Sequence, residues 1–160
     1  MTTGTNWLTD TEQTAWRAWL YSGFAAIAGI DYDLRARRHG LDFFGYHILV
    51  VAHEHAPHGA PIKVIAGTVM QSKQTTGQRV KKMTEQGLLT VTDGTVDKRT
   101  TLVHITDAGR DLLASAAPGH VADVRRRIID LLTSDEIETL AQISKKILDA
   151  NRHTALPADR

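Results

Sequence analysis

Apolar residues recur at intervals of three and four along both ends of the chain, the spacing that places them on one face of an α-helix. The first such stretch begins at Thr9, which can form a capping box with Glu12. Its apolar stripe runs from Trp16 to Leu34, and we expect the helix to end near Gly40. A second helix is predicted from the N-cap residue Asp42 to about residue 53.

The middle of the chain predicts two short helices followed by a hairpin. Pro61 can open a helix over residues 62–70, and Ser72 can cap a second helix that ends at Gly87. The apolar period then changes to that of strands over residues 88–91 and 100–105, with an Asp93-Gly94 turn between them. Two short helices, a tight turn and a hairpin predict a winged helix-turn-helix.

The C-terminal third returns to helical spacing. Thr106 is the predicted N-cap of a helix that meets Pro118, after which a second helical segment follows. Thr133 and Glu136 form another capping box at the start of the last helix, and residues 151–160 are expected to fray. The predicted fold is mainly α with a small β-hairpin wing. It forms one domain over residues 1–160, with helical parts at 9–39 and 107–150 flanking a winged helix-turn-helix at 42–106.

Composition narrows the possible functions. The 160-residue chain contains no cysteine, so disulfides, thiolate metal sites and cysteine redox sensing are excluded. The N-terminus lacks a secretory signal pattern, and no apolar run approaches the ~20 residues that cross a bilayer, so we expect a cytoplasmic protein without a membrane partner. Net charge is only +1, but residues 61–106 carry seven basic and three acidic residues, a modest footprint for a polyanion.

The predicted recognition helix presents hydrogen-bonding and basic side chains on one side. A helix that enters the major groove must carry such groups, because the base edges differ there in donors and acceptors. The same pattern also fits a solvated amphipathic helix. The candidate DNA contacts on the helix are Lys73, Gln74, Thr75, Gln78, Arg79 and Lys82, and those on the hairpin are Lys98 and Arg99.

The run from Asp97 to Gly109 favours the DNA-binding interpretation. It resembles the MarR family signature D-x-R-x-x-x-V-x-L-T-x-x-G, with Ile105 in place of the leucine. The resemblance extends over about residues 9–150 in the order and spacing of the helices. It departs from the family at Val69-Met70-Gln71, the turn before the recognition helix, where many members have a glycine.

The resemblance implies a bacterial or archaeal transcriptional regulator that is not an enzyme and needs no cofactor. It implies that the long terminal helices, at 9–39 and 107–150, form a homodimer on a pseudo-palindromic duplex operator. Such a regulator is often a repressor relieved by a small aromatic or amphipathic ligand. Within the wing, Asp97 and Arg99 would point to the same side of a strand, so Asp97 is expected to orient Arg99 towards the minor groove.

Two further groups of residues have both a purely structural and a functional interpretation. The His53, Glu54, His55 and His58 cluster suggests a metal-sensing regulator of the same fold or, less well supported, a metal hydrolase. Because Pro57 interrupts the helix that such a motif needs, we favour a solvated loop and predict no metal. Aromatic and histidine side chains near the second helix are either core or the lining of an effector cavity, and the candidates are Trp16, His39, Phe43, Tyr46 and His47.

Overall fold

The computed structural model describes residues 5–37, 40–94 and 100–155, with side chains up to residue 151. Within these ranges, six α-helices and three short strands follow one another in the order α1, α2, β1, α3, α4, β2, β3, α5, α6. The helices are α1 (Asp10–Ala36), α2 (Phe43–Glu54), α3 (Ile62–Thr68), α4 (Lys73–Glu85), α5 (Asp107–Arg127) and α6 (Ser134–Ala155). The strands are β1 (Ala60–Pro61), β2 (Leu89–Asp93) and β3 (Thr101–Ile105), and a 3₁₀ turn (Ile129–Leu131) joins α5 to α6.

Five predicted helix starts are confirmed, and at each of them a local side chain caps the helix, namely Thr9, Asp42, Ser72, Thr106 and Thr133. The Thr9 N–H donates to Glu12 Oε2 at 2.7 Å, and the Glu12 N–H donates back to Thr9 Oγ1 at 3.3 Å, which completes the capping box. Asp42 caps α2, and Thr133 with Glu136 forms the same reciprocal pair before α6. These bonds satisfy backbone N–H groups that have no partner inside the helix.

Three predicted boundaries are wrong. Helix α1 ends at Ala36, and Gly40, with φ 70°, lies beyond it in the approach to α2. Helix α5 continues through Pro118 instead of breaking there, because the Ala114 carbonyl that loses its N–H partner lies on an exposed part of the helix where water can reach it. Helix α6 runs past residue 151 to Ala155.

The hairpin belongs to a three-stranded antiparallel sheet, which the sequence pattern does not predict. The strand order is β1-β3-β2, with Ala60 opposite Val103 and Val91 opposite the same residue on the other side. Pro61 therefore lies in an edge strand, where a residue without an N–H is tolerated, immediately before α3. The added strand ties the loop after α2 to the base of the wing.

The hydrophobic core lies between α2, α3, α4, the sheet and the adjoining parts of α1 and α5. Its largest fully buried apolar side chains are Leu34, Ile48, Leu49, Ile65, Leu89 and Val103. In contrast, the described part of α6 has no buried residue, and in α1 only Ile30 and Leu34 are buried. None of the helices in the described part of the chain has both the length and the apolar character of a membrane span.

Candidate nucleic-acid interface

Helices α3 and α4 form the helix-turn-helix. Ser72 begins α4 by accepting the Thr75 N–H at 3.1 Å, and Gly87, with φ 74°, follows its end. Met70, in the turn between the helices, has φ 51°, a left-handed conformation that glycine adopts more easily. The position where this sequence departs from the family pattern therefore keeps the backbone conformation that a glycine there would allow.

One face of α4 is buried and the opposite face is open to solvent. Thr76, Val80 and Met83 are buried, as expected from their spacing. Five of the six predicted contact residues on this helix are exposed, namely Lys73, Gln74, Thr75, Gln78 and Lys82. The exposed face thus combines amide, hydroxyl and ammonium groups, which are the donors and acceptors that read base edges and neutralise phosphates.

Arg79, the sixth predicted contact residue, is only partly exposed and lies on the flank of α4, and its contact with DNA stays a prediction. At about 100° per residue, position 79 falls on the flank of α4 next to the buried residues and not on the face of Gln78. Its Nη1 donates to Asp42 Oδ2 at 2.6 Å, and its guanidinium lies 5.0 Å from the centre of the Phe44 ring. The Arg79 side chain is 31% exposed and that of Asp42 is 17% exposed, so the pair is partly shielded from solvent.

Asp42 has other hydrogen-bond partners besides Arg79. Its Oδ1 accepts the Gly45 N–H at 2.7 Å, which caps α2, while its Oδ2 also lies 3.3 Å from Arg35 Nη2. Arg35 in turn donates to Asp31 at 2.7 Å, and Asp31 accepts the Phe43 N–H at 2.8 Å. A chain of charged side chains therefore joins α1, the start of α2 and the flank of α4.

The described part of the wing consists of its two strands with Gly94 and Thr100. Strands β2 and β3 pair from Leu89 opposite Ile105 to Asp93 opposite Thr101, and the Gly94 N–H donates to the Thr100 carbonyl at 2.7 Å. The three predicted wing residues Asp97, Lys98 and Arg99 lie outside the described residues. Their roles stay predictions from the sequence.

The last two residues of the signature motif have structural roles. Thr106 Oγ1 accepts the Gly109 N–H at 3.0 Å and donates to the Gly87 carbonyl at 2.7 Å, so one hydroxyl caps α5 and binds the end of α4. A Cβ at Gly109 would collide with the backbone carbonyl oxygen of Leu88. The motif therefore fixes the packing of α5 against the segment that leaves the recognition helix.

Comparison with known proteins identifies the family. No protein-family model matches the chain, and no curated protein sequence does. Among solved structures, AbsC from Streptomyces coelicolor, a MarR family transcriptional regulator, is 32% identical to this chain, with a TM-score of 0.85 over 93% of this chain and 99% of AbsC. This chain belongs to the MarR family.

Two other MarR-like structures extend the comparison. Sco3205 from Streptomyces coelicolor, solved in complex with DNA, is 26% identical and gives a TM-score of 0.84 over 90% of this chain and 93% of its own. CouR from Rhodococcus jostii, solved with p-coumaroyl-CoA, is 22% identical, with a TM-score of 0.64 over 86% and 89% of the two chains. At that identity the likeness to CouR shows the fold alone.

Three of the five candidate effector residues of this MarR protein lie near one another. The Phe43 and His47 rings are 4.3 Å apart, and those of Tyr46 and His47 are 5.5 Å apart, between centroids. His39 lies outside the described residues. Trp16 belongs to another surface, where its ring lies 5.4 Å from that of Trp19.

His120 completes this cluster and was missed by sequence reasoning. Its ring lies 4.2 Å from that of Tyr46 and 5.6 Å from that of His47, and its Nδ1 is buried with no hydrogen-bond partner. Burial lowers the pKa of His120, and the positive charges of His47 and Arg37 act in the same direction, against the carboxylate of Asp123. No local motif could have found His120, because it joins the cluster from α5 through tertiary packing.

The histidine-rich loop of this MarR protein has no metal-binding arrangement. No group of three or more histidine, cysteine, aspartate or glutamate residues in the described ranges is positioned to hold a metal ion. His53, Glu54 and His58 are exposed, while His55 Nδ1 lies 2.8 Å from the Val51 carbonyl oxygen at the end of α2. His53 and Glu54 belong to the last turn of α2, so only His55 and His58 of this group lie in the loop that follows.

Proposed function

We propose that this MarR family protein binds duplex DNA in a sequence-dependent manner and regulates transcription in the cytoplasm without catalysing a reaction. The observation that carries the proposal is the exposed polar face of α4 on a winged helix-turn-helix. The face has the dimensions and the chemistry to lie in a major groove. The DNA complex of Sco3205, a protein 26% identical to this chain, supports the same use of the fold.

Within this proposal the residues divide between two roles. Gln74 and Gln78 are the proposed base-reading residues, because both are exposed and an amide can donate to and accept from the same adenine. Lys73 and Lys82, with Lys98 and Arg99 of the wing, supply cations for phosphates. Thr75 is close enough to the helix start to contact either, although its Oγ1 also lies 2.8 Å from Ser72 Oγ.

The proposed assembly is a homodimer held by the outer parts of α1 and α6. These helices expose a set of large apolar side chains of which each is 39–64% exposed, namely Trp16, Trp19, Phe24, Ile27, Leu140, Ile143, Ile147 and Leu148. Between the two helices lies an apolar groove of about 750 Å³. Exposed apolar surface of this kind is typical of an interface, and a second copy would bury it and set two recognition helices about 34 Å apart.

The experiment that tests the function is selection of bound sequences from random duplex DNA. We expect a pseudo-palindromic consensus with two half-sites about one helical turn apart. Gln78→Ala is expected to cost about 1–3 kcal/mol per half-site and to relax preference at one base position. Gln142→Ala, a matched change on exposed α6, should alter neither. Failure of the wild-type protein to enrich any sequence would refute the proposal.

We further propose that a small aromatic or amphipathic ligand relieves binding. The cluster of Phe43, Tyr46, His47 and His120 supports this, because it lies between α2 of the DNA-binding part and α5. The structure of CouR with p-coumaroyl-CoA shows that the fold accommodates a small molecule in that protein. The test is a panel of aromatic acids and amides added to the selected duplex complex. No change in affinity across the panel would count against an effector.

A further inference from the structure

One carboxylate connects the recognition helix to two other helices. Asp42 Oδ2 accepts hydrogen bonds from Arg79 of α4 and from Arg35 of α1, at 2.6 and 3.3 Å. The other oxygen of the same carboxylate caps α2 through the Gly45 N–H. A displacement of α4 relative to α2 would therefore separate a charge-assisted hydrogen bond that is shorter and stronger than a neutral one.

Arg79 is held by two interactions at once. The guanidinium is bound at one edge by Asp42 and lies over the ring of Phe44. Both partners belong to the first turn of α2 or its N-cap, so they hold Arg79 against a single element. An arginine that left this site to reach a base would lose both interactions and leave the shielded Asp42 carboxylate with Arg35 alone.

The surroundings make Asp42 the negative centre of a positive cavity. A cavity of about 250 Å³ beside the pair is lined by Arg35, Arg79 and Lys82, with Asp42 as its one acidic residue among those that line it. Without the carboxylate, three cations would face one another across this cavity. The Asp42 carboxylate therefore offsets the repulsion among the cations that α1 and α4 bring to this cavity.

We propose that Asp42 and Arg79 are positioning residues that set the orientation of the recognition helix, and that Arg79 does not read bases. The proposal rests on the DNA-binding function proposed above. It also makes the position of α4 depend on α1 through Arg35, and α1 carries part of the apolar surface assigned to the dimer. Base reading is then left to the exposed face that contains Gln74 and Gln78.

The experiment compares Arg79→Gln, Asp42→Asn and the double variant with the wild-type protein on the duplex that the wild type selects. Asparagine keeps the capping oxygen of Asp42 while removing its charge. Each single variant should weaken binding about 5- to 20-fold, and the double variant should be no weaker than the weaker single one, because both changes break one interaction. The preferred sequence and the slope of log Kd against log salt should stay those of the wild type.

Two controls separate positioning from general damage. Arg125→Gln removes an arginine from an exposed pair with Asp130 and should leave binding unchanged. Asp42→Ser keeps a cap with a shorter side chain and replaces Asp42→Asn if that variant unfolds in a thermal melt.

Three results would overturn the proposal. One is a decrease, in Arg79→Gln, of the slope of log Kd against log salt by about the amount that one phosphate contact contributes. Another is the loss of preference at one base position in that variant. The third is tighter binding by Asp42→Asn, because it would mean that Asp42 withholds Arg79 from DNA. A wild-type protein that selects no duplex would refute the proposed function itself, a result distinct from all three.

Discussion

The ion pair between Arg37, which follows the end of α1, and Asp123 of α5 leads to a prediction about which partner matters more. Arg37 binds both carboxylate oxygens of Asp123, at 2.9 Å for Nη2 to Oδ1 and closer for Nη1 to Oδ2. The Asp123 side chain is 3% exposed, whereas that of Arg37 is 34% exposed. Removing Arg37 leaves a buried carboxylate, but removing Asp123 leaves an arginine that can turn to water.

The two single substitutions should therefore differ in size. Loss of one partner from a buried pair costs about 3–5 kcal/mol, and we expect Arg37→Met to cost about 3, because Arg126 still donates to Asp123 at 3.1 Å. Asp123→Asn keeps the shape and part of the hydrogen bonding, so it should cost about 1.5 kcal/mol. Urea unfolding at pH 7 measures both, and Arg125→Met at an exposed pair should cost 0–1 kcal/mol, roughly.

The pH dependence gives a second test of the same pair. The Arg37 guanidinium holds the pKa of Asp123 below its ordinary value, against burial that raises it. In the wild type, the stability due to this pair is present above the unfolded pKa of about 3.9 and is lost as pH falls through the lower folded value. In Arg37→Met, the burial that raises the pKa of Asp123 meets less opposition. The loss in free energy of unfolding relative to wild type should therefore shrink as pH falls from 7 to 4. An Arg37→Met/Asp123→Asn protein less stable than Arg37→Met would refute the reasoning.

Three further predictions concern other parts of the molecule. Gly109→Ala should lower stability by about 1–3 kcal/mol in urea unfolding, because its methyl group would meet a backbone carbonyl, and a stability equal to wild type would contradict that packing. Since burial lowers the pKa of His120, the wild type should lose stability as pH falls below about 6.5, and His120→Gln should show a shallower loss; equal slopes would exclude His120 as the source. Arg99→Ala should reduce the salt slope of DNA binding by about one phosphate, and Asp97→Ala should weaken binding; tighter binding by Asp97→Ala would show that its charge only repels DNA.

Features set by neighbouring residues could be predicted from the sequence. The capping boxes at Thr9 and Thr133, the N-caps Asp42 and Ser72, and the end of α4 before Gly87 all follow from bonds or φ angles within a few residues. The buried face of α4 was also predictable, because helical periodicity alone selects it. The strand β1 was not, since two residues carry no period and their pairing partner lies more than forty residues later.

The exposed face of the recognition helix shows where periodicity stops being sufficient. Helical periodicity separates the buried residues from Gln74 and Gln78, which lie opposite them. It cannot decide whether a side chain on the flank, such as that of Arg79, faces solvent or a neighbouring helix. What decides it is a carboxylate 37 residues earlier in the chain, brought to 2.6 Å by the packing of α2 on α4. His120 is a similar case, because its neighbours Tyr46 and His47 come from another helix.

The two ion networks lie at the same end of α1 and connect different partners. Asp31 and Arg35 lead through Asp42 to the recognition helix, while Asp33 and Arg37 lead to α5, through Arg127 at 2.6 Å and through Asp123. Successive odd-numbered positions over the last two turns of α1 and its C-cap thus alternate between the DNA-binding part and the helix that leads to α6. The C-terminal end of α1 is therefore bonded both to the start of α2, which holds Arg79 of the recognition helix, and to α5.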